Sequence, residues 1–244
     1  MIEINKQKFF WRLKEVWFAD APYDVLGIDR IIFYDCKNMI NEGGFVSKEF
    51  TTSVIDLTNS IEKIWNNMDK SSCRYMITRA ERECIKIKID EHFNEFYSIN
   101  NNFRRLKGLT PSVNLEDYKK FGHLFTAEYK GEVVGGQFYL SDENNFRWLL
   151  GASKRLSSQK EESVIIGCAN RLIVWRAINY AKEHGKREFD LGGIYTGEAK
   201  NVALTGIARF KNTFGGRTVS HFVYIKDYSK IYKFMSYLKQ KLFL

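Results

Sequence analysis

The chain has only two prolines in 244 residues, Pro22 and Pro111, which rules out a proline-rich linker. Its four cysteines, Cys36, Cys73, Cys84 and Cys168, form no CxxC pair, and its four histidines, His92, His123, His184 and His221, are equally scattered. That spacing argues against a metal site, and the cysteines read as reduced thiols of a cytoplasmic protein. No apolar run approaches the ~20 residues of a membrane span. The opening stretch MIEINKQKFFWRLKEVWF is broken by charges and lacks the apolar centre of a secretory signal. Neither a GxSxG nucleophile elbow nor a P-loop occurs, so no motif points to a serine nucleophile or a glycine-rich phosphate cradle.

What is abundant is positive charge and aromatic rings. The net charge is +9, from 38 Lys and Arg against 29 Asp and Glu, and 15% of residues are Phe, Trp or Tyr. The charge is spread along the chain and favours an anionic partner: nucleic acid, nucleotide phosphates or an acidic surface. The rings can fill a core or line a cleft. At roughly 150 residues per domain the length suits one large domain or two small ones.

Residues 1–58 read as short strands and turns. TNSIEKIWNNMD carries a cap at Asn59 or Ser60 and apolar Ile61, Ile64, Trp65 and Met68 at helical spacing. SSCRYMITRAERE reads as a second helix with serine caps, and CIKIKID alternates as a strand. NEFYSINNNFRRLKG reads as a helix closed by Gly108. Residues 123–153 spell a three-stranded antiparallel meander. Apolar Ile166, Ala169, Ile173, Ala177, Tyr180 and Ala181 fall on one face of a helix expected from Ser163 to His184. A short buried strand (REFDL), a helix (NVALTGIARFKNTF), a strand (RTVSHFVYIK) and an amphipathic tail from Tyr228 complete the chain. This order predicts a mixed α+β or α/β layer structure, divided as residues 1–90 and 91–244.

The chemistry-bearing stretch is FDLGGIYTGEAKNVALTGIARFKNTFGG, residues 189–216. A strand ending in a glycine pair lets backbone approach a ligand or another strand, and ligands gather at the carboxyl ends of strands in open sheets. Asp190, just before that end, has two readings: a base or amine-orienting group, or an acceptor of turn N–H groups. Lys211, between Phe210 and Phe214 and beside Arg209, can sit partly desolvated and stabilise an oxyanion or a phosphate; alternatively it lies on a solvated helix face. Trp148 lines a pocket or packs. Asn170, on an apolar helix face, binds substrate or is a satisfied buried amide. Arg176, near that face, is a phosphate-binding candidate.

Four blocks, in order, resemble the Fem-type branch of the GNAT-fold acyltransferases, the nonribosomal peptidyltransferases and their short relatives. They are SSCRYMITRAERE, FNEFYSINNNFRRLKG, LFTAEYKGEVVGGQFYL, and FDLGGI followed by RFKNTFGG. The resemblance spans about residues 60–225 and implies tandem GNAT-like units, mixed central sheets flanked by helices, the first unit abridged. It implies acyl transfer to an amine, with Lys211 polarising the donor carbonyl, Phe210 beside it and Asp190 toward the acceptor. The short relatives include sugar N-acyltransferases, which take an acyl-CoA co-substrate and a nucleotide-linked aminodeoxysugar, without a metal; both substrates are anionic, which suits the charge. Asp190, Tyr195 and Glu198 are the candidates to receive the amine proton, and Glu198 and Arg209 are also candidate substrate contacts. Two departures stand out. The stretch SKRLSSQKEES replaces the usual pyrophosphate loop before the long helix, and Glu83 stands where the first helix motif has glycine. An aminoacyl-tRNA-dependent transferase acting on a peptidoglycan precursor is the alternative, with tRNA as partner.

Overall fold

The computed structural model describes residues 1–41, 43–110, 114–197 and 202–235, with the backbone alone at 202–204. The chain forms two compact units, Met1–Thr52 with Val219–Leu244, and Ser53–Thr218. Both mix strands and helices, the class expected from the sequence. No helix among the described residues is long and apolar enough to cross a membrane.

In the first unit, β1 (Ile2–Lys8) and β2 (Trp11–Trp17) form a hairpin with Lys8 opposite Trp11. Its two-residue turn is made by Phe9, at φ +57°, and Phe10. Strand β2 runs parallel to β3 (Arg30–Cys36), and β3 pairs antiparallel with β10 (Arg217–Asp227). Alternation sends Ile2 and Ile4 inward. Val16, Ile31, Phe33, Phe222 and Tyr224 make the apolar core. A buried His221–Asp35 contact of 2.6 Å lies beside that core.

The second unit holds the candidate residues. The chain enters it along β4 (Val46–Asp56) and continues into α1 (Ile61–Asn67). Ser60 caps α1 by accepting from the Lys63 N–H at 3.2 Å, one of the two caps read from the sequence. The next helix departs from expectation. Asp69, rather than a serine, caps a π-helical turn (Lys70–Arg74) that leads into α2 (Tyr75–Arg82). Its carboxylate accepts from the Ser72 N–H and from the hydroxyls of Ser71 and Ser72, and these bonds hold its pKa down to about 2. A carboxylate is the stronger acceptor, so the serines become its donors.

Strands β5 (Lys86–Ile89), β6 (Gly122–Tyr129), β7 (Glu132–Ser141) and β8 (Asn145–Ser153) are antiparallel, and β9 (Glu188–Gly193) runs parallel to β8. The meander is as expected. Its first turn, Lys130–Gly131, has positive φ at both residues (+51° and +82°), as a tight twisted hairpin demands. A parallel partner needs a crossover, supplied by α4 (Lys160–Glu183), which starts three residues before the expected Ser163. Ile166, Ile173 and Ala177 of α4 bury against Phe125, Tyr139, Phe146 and Phe189 of the sheet. Helix α2 packs on α4, and α3 (Phe93–Leu106) packs on β7 and β8. Gly108, at φ +63°, closes α3. Thus α1, α2 and β5, placed by the sequence division in residues 1–90, pack with β6–β9; compact packing and that division are different partitions of the chain.

Candidate functional site

Strands β8 and β9 pair at Asn145↔Glu188, Phe146↔Phe189 and Arg147↔Asp190. The regular pairing stops there while β8 runs on to Ser153 and β9 to Gly193. Opposite, Tyr139 of β7 pairs with Trp148 and Phe138 with Leu150, so Leu149 is an extra, bulged residue. A bulge re-aims side chains and ends regular pairing. Regular pairing of the two parallel strands therefore ends at the rung of Arg147 and Asp190.

Asp190 is buried, and so is Arg147, its ion-pair partner across the rung. One Asp190 carboxylate oxygen takes the Arg147 guanidinium; the other accepts from the Gly192 N–H at 2.6 Å. So Asp190 performs the turn role considered from its sequence context, together with an ion pair that its sequence neighbours do not reveal. Gly192 has φ +77°, and a Cβ there would stand 3.1 Å from the Trp148 carbonyl oxygen and 3.3 Å from Lys211 Nζ. The first glycine pair thus permits both the left-handed backbone and the close approach of Lys211. Gly192→Ala should destabilise the protein by about 1–3 kcal/mol through that backbone strain. A urea unfolding curve measures the loss, and a change below the error of the midpoint would contradict the reading.

Lys211 lies near the end of α5 (Val202–Asn212). Only 9% of it is exposed. Its ammonium donates to the Gly193 carbonyl at 2.8 Å and sits 5.2 Å from the centre of the Trp148 ring. Burial lowers its pKa from 10.5 to about 8, against the attraction of Asp190 and with the help of Arg147. Lys211 therefore occupies a desolvated position, and at neutral pH it is a cation whose field is little screened. Phe210 meets Trp148 edge-on at 6.1 Å, and the Arg171 guanidinium lies 4.8 Å from the centre of the Phe210 ring.

The structure thus brings together Lys211, Asp190, Trp148 and Phe210. Tyr195 is half-buried beyond the end of β9, with its hydroxyl 2.6 Å from the place a Cβ on Gly197 would take. The Asn170 side chain donates to Ser153 Oγ at 3.1 Å, and its backbone carbonyl accepts from Gln137 at 3.2 Å, as a satisfied amide would. Arg176 is exposed and pairs with Glu81 at 3.0 Å. Arg209 is exposed. Glu198 lies outside the described residues. The second glycine pair serves packing: Gly215 has φ +72° and a Cβ there would come within 2.3 Å of the Asn67 carbonyl oxygen, while one on Gly216 would meet Ser53 Oγ at 2.4 Å. Sequence reasoning missed Arg147 and Arg171. The signal available was a single arginine inside an apolar strand, FRWLL, and another inside an apolar helix, ANRLIVW.

No family model and no curated protein sequence matches the chain. Solved structures do. FemX is similar over 90% of this chain and 83% of its own, with a TM-score of 0.64 and 11% identity. L-PGS from Bacillus licheniformis is similar over 80% of this chain and 67% of its own, at TM-score 0.55 and 15% identity. The C-terminal domain of an Agrobacterium fabrum protein described as a lysylphosphatidylglycerol synthetase is similar over 81% and 68%, at TM-score 0.56 and 9% identity. At these identities the likeness establishes the fold.

Proposed function

We propose that the chain is an acyltransferase of the Fem-like GNAT type that joins an acyl group to an amine where the regular pairing of β8 and β9 ends. The leading substrates are an acyl-CoA thioester and a nucleotide-linked aminodeoxysugar. One observation carries the reading: Lys211, a buried ammonium with pKa about 8, fixed between the Gly193 carbonyl and the Trp148 ring at the end of a parallel rung. A neutral amine attacks the thioester carbonyl, and negative charge develops on its oxygen. Lys211 supplies the compensating charge, already desolvated and oriented, which is the condition under which such a group accelerates the step. The thiolate then leaves as the C–N bond is completed. The proton of the new ammonium passes to water, or through the Tyr195 hydroxyl, which gives up its own proton in turn, to the departing thiolate. Asp190, engaged with Arg147 and Gly192, acts as a positioning residue that fixes the rung beneath Lys211. The likeness to FemX and to lysylphosphatidylglycerol synthetase domains supports a transferase.

A second donor is favoured by one feature. Glu161 and Glu162 occupy the first turn of α4, where they oppose a pyrophosphate at the helix N-terminus. This favours an aminoacyl-tRNA donor and a peptidoglycan-precursor acceptor. The test is a panel of acyl-CoA thioesters with aminosugar nucleotides, read by free thiol release, beside a tRNA-binding titration at rising salt. The leading reading expects acceptor-dependent thiol release and no tRNA binding. Salt-sensitive tRNA binding without thiol release selects the second donor; neither signal contradicts both.

A further inference from the structure

We propose that Arg155 and Arg171 form a phosphate-binding site over Gly167 of α4, which takes the diphosphate of a nucleotide-bearing substrate. Arg171 is half-buried on α4; its Nε is sealed from solvent without a hydrogen-bond partner, and its Nη1 donates to the Gly167 carbonyl of its own helix, at 3.2 Å. Arg155, in the turn Lys154–Leu156 that follows β8, lies over the same residue. Its guanidinium carbon is 3.8 Å from where a Cβ on Gly167 would stand. Two guanidinium groups thus converge on one glycine, and among the described residues neither has a carboxylate partner.

The surroundings do not neutralise them. Burial lowers the pKa of Arg171, and the charge of Arg155 lowers it further. The nearby thiols of Cys73 and Cys168 are pushed up by burial, Cys73 to about 11, so neither is an anion at neutral pH. The carboxylates of α2 and its C-terminal cap are engaged elsewhere, Glu81 with Arg176 at 3.0 Å and Glu83 with Arg79 at 3.9 Å. Arg171, the desolvated member of the pair, is costly to hold beside a like charge unless a ligand supplies a counter-ion. Planar guanidinium forks match phosphate oxygens two at a time. A diphosphate, with oxygens on two phosphorus atoms, can engage the exposed fork of Arg155 and the remaining N–H groups of Arg171 at once, the Nη1 of Arg171 being shared with Gly167.

The site also has a link to the proposed reaction centre. Arg171 lies 4.8 Å from the centre of the Phe210 ring, Phe210 meets Trp148 at 6.1 Å, and Trp148 carries Lys211 at 5.2 Å. A phosphate held by Arg171 would therefore be connected through two rings to the ammonium. Only the source of the diphosphate, acyl donor or nucleotide sugar, rests on the acyl-transfer reading; the binding itself does not.

The experiment titrates the full chain with inorganic pyrophosphate, coenzyme A and UDP, by calorimetry at low salt. The intact protein should bind pyrophosphate. Arg155→Gln and Arg171→Gln should each weaken it about 10- to 100-fold, the range expected for charge-assisted hydrogen bonds. Arg105→Gln, an exposed change on α3, should bind like the parent. Arg155 is exposed, so its variant carries the test even if Arg171→Gln folds poorly. A loss of pyrophosphate binding that extends to coenzyme A but not to UDP assigns the site to the donor; one that extends to UDP but not to coenzyme A assigns it to the acceptor. Absence of pyrophosphate binding, or equal binding by the parent and Arg155→Gln, would overturn the proposal. Pyrophosphate binding without any acyl transfer leaves the site standing and removes the acyl-transfer reading instead.

Discussion

Lys211→Met should unfold at a higher temperature than the parent protein at pH 7. The reason is the environment of the ammonium. Burial lowers its pKa from 10.5 to about 8, and each tenfold change in an ionisation constant corresponds to about 1.4 kcal/mol between the charged and neutral forms. The folded protein at pH 7 thus holds a charge it would be more stable without, at a cost of about 3 kcal/mol. The sign follows from proton uptake. Between pH 8 and 10.5 the unfolded chain binds more protons at this position than the folded one, so the parent gains stability as pH rises through that window. Below pH 8 both states are protonated and the whole penalty is present. The advantage of Lys211→Met should therefore be largest below pH 8, several degrees in Tm for a chain of this size, and should disappear toward pH 10.5. Thermal unfolding of both proteins at pH 7 and pH 10 tests this. A variant that melts lower at pH 7 would mean that Lys211 is kept for packing and bonding rather than for its charge. Residues that lower stability where they stand are what a functional site requires.

The second large effect concerns the rung beneath. Arg147→Met alone and Asp190→Leu alone should each cost about 3–5 kcal/mol, because each breaks a buried ion pair by removing one member. Asp190→Leu also removes the acceptor of the Gly192 N–H. The double variant should recover most of that loss, to within roughly 1–2 kcal/mol of the parent, since two apolar groups can replace a buried pair. Urea unfolding at pH 7 measures all four proteins. Single losses under about 1 kcal/mol, or losses that simply add in the double variant, would show that the two side chains do not act as a pair. Recovered stability without recovered turnover would separate the positioning role of Asp190 from its structural one.

Much of the framework is legible because it is local. The β6–β8 meander follows from alternation and from the Lys130–Gly131 turn, and α4 follows from one long apolar face. The glycine pair before Ile194 reads as a place of close backbone approach, and Gly192 is that place. Lys211 stands out because a lysine between two phenylalanines fits poorly on a solvated face. What is hidden is non-local. The partner of Asp190 is 43 residues away on the neighbouring strand, so no spacing rule identifies Arg147. Arg171 looks like an interruption of an apolar helix until Arg155 and Phe210 are brought against it. The cap of the π-helical turn is ambiguous in the sequence because three acceptors, Asp69, Ser71 and Ser72, stand close together, and the ionised Asp69 wins over the two hydroxyls. The return of the chain at Val219 to the unit begun at Met1 likewise depends on pairing β10 with β3, which local patterns do not encode.

The most direct test of the account is the mass of the acceptor. An amine-bearing acceptor is incubated at pH 7 with the acyl donor identified by the donor panel, and with either the parent protein or Lys211→Met at equal folded concentration. The account predicts an acceptor heavier by one acyl group with the parent, and a rate lower by on the order of 10²–10³ with the variant, the effect of removing one preorganised oxyanion donor. Equal rates from the two proteins would contradict it.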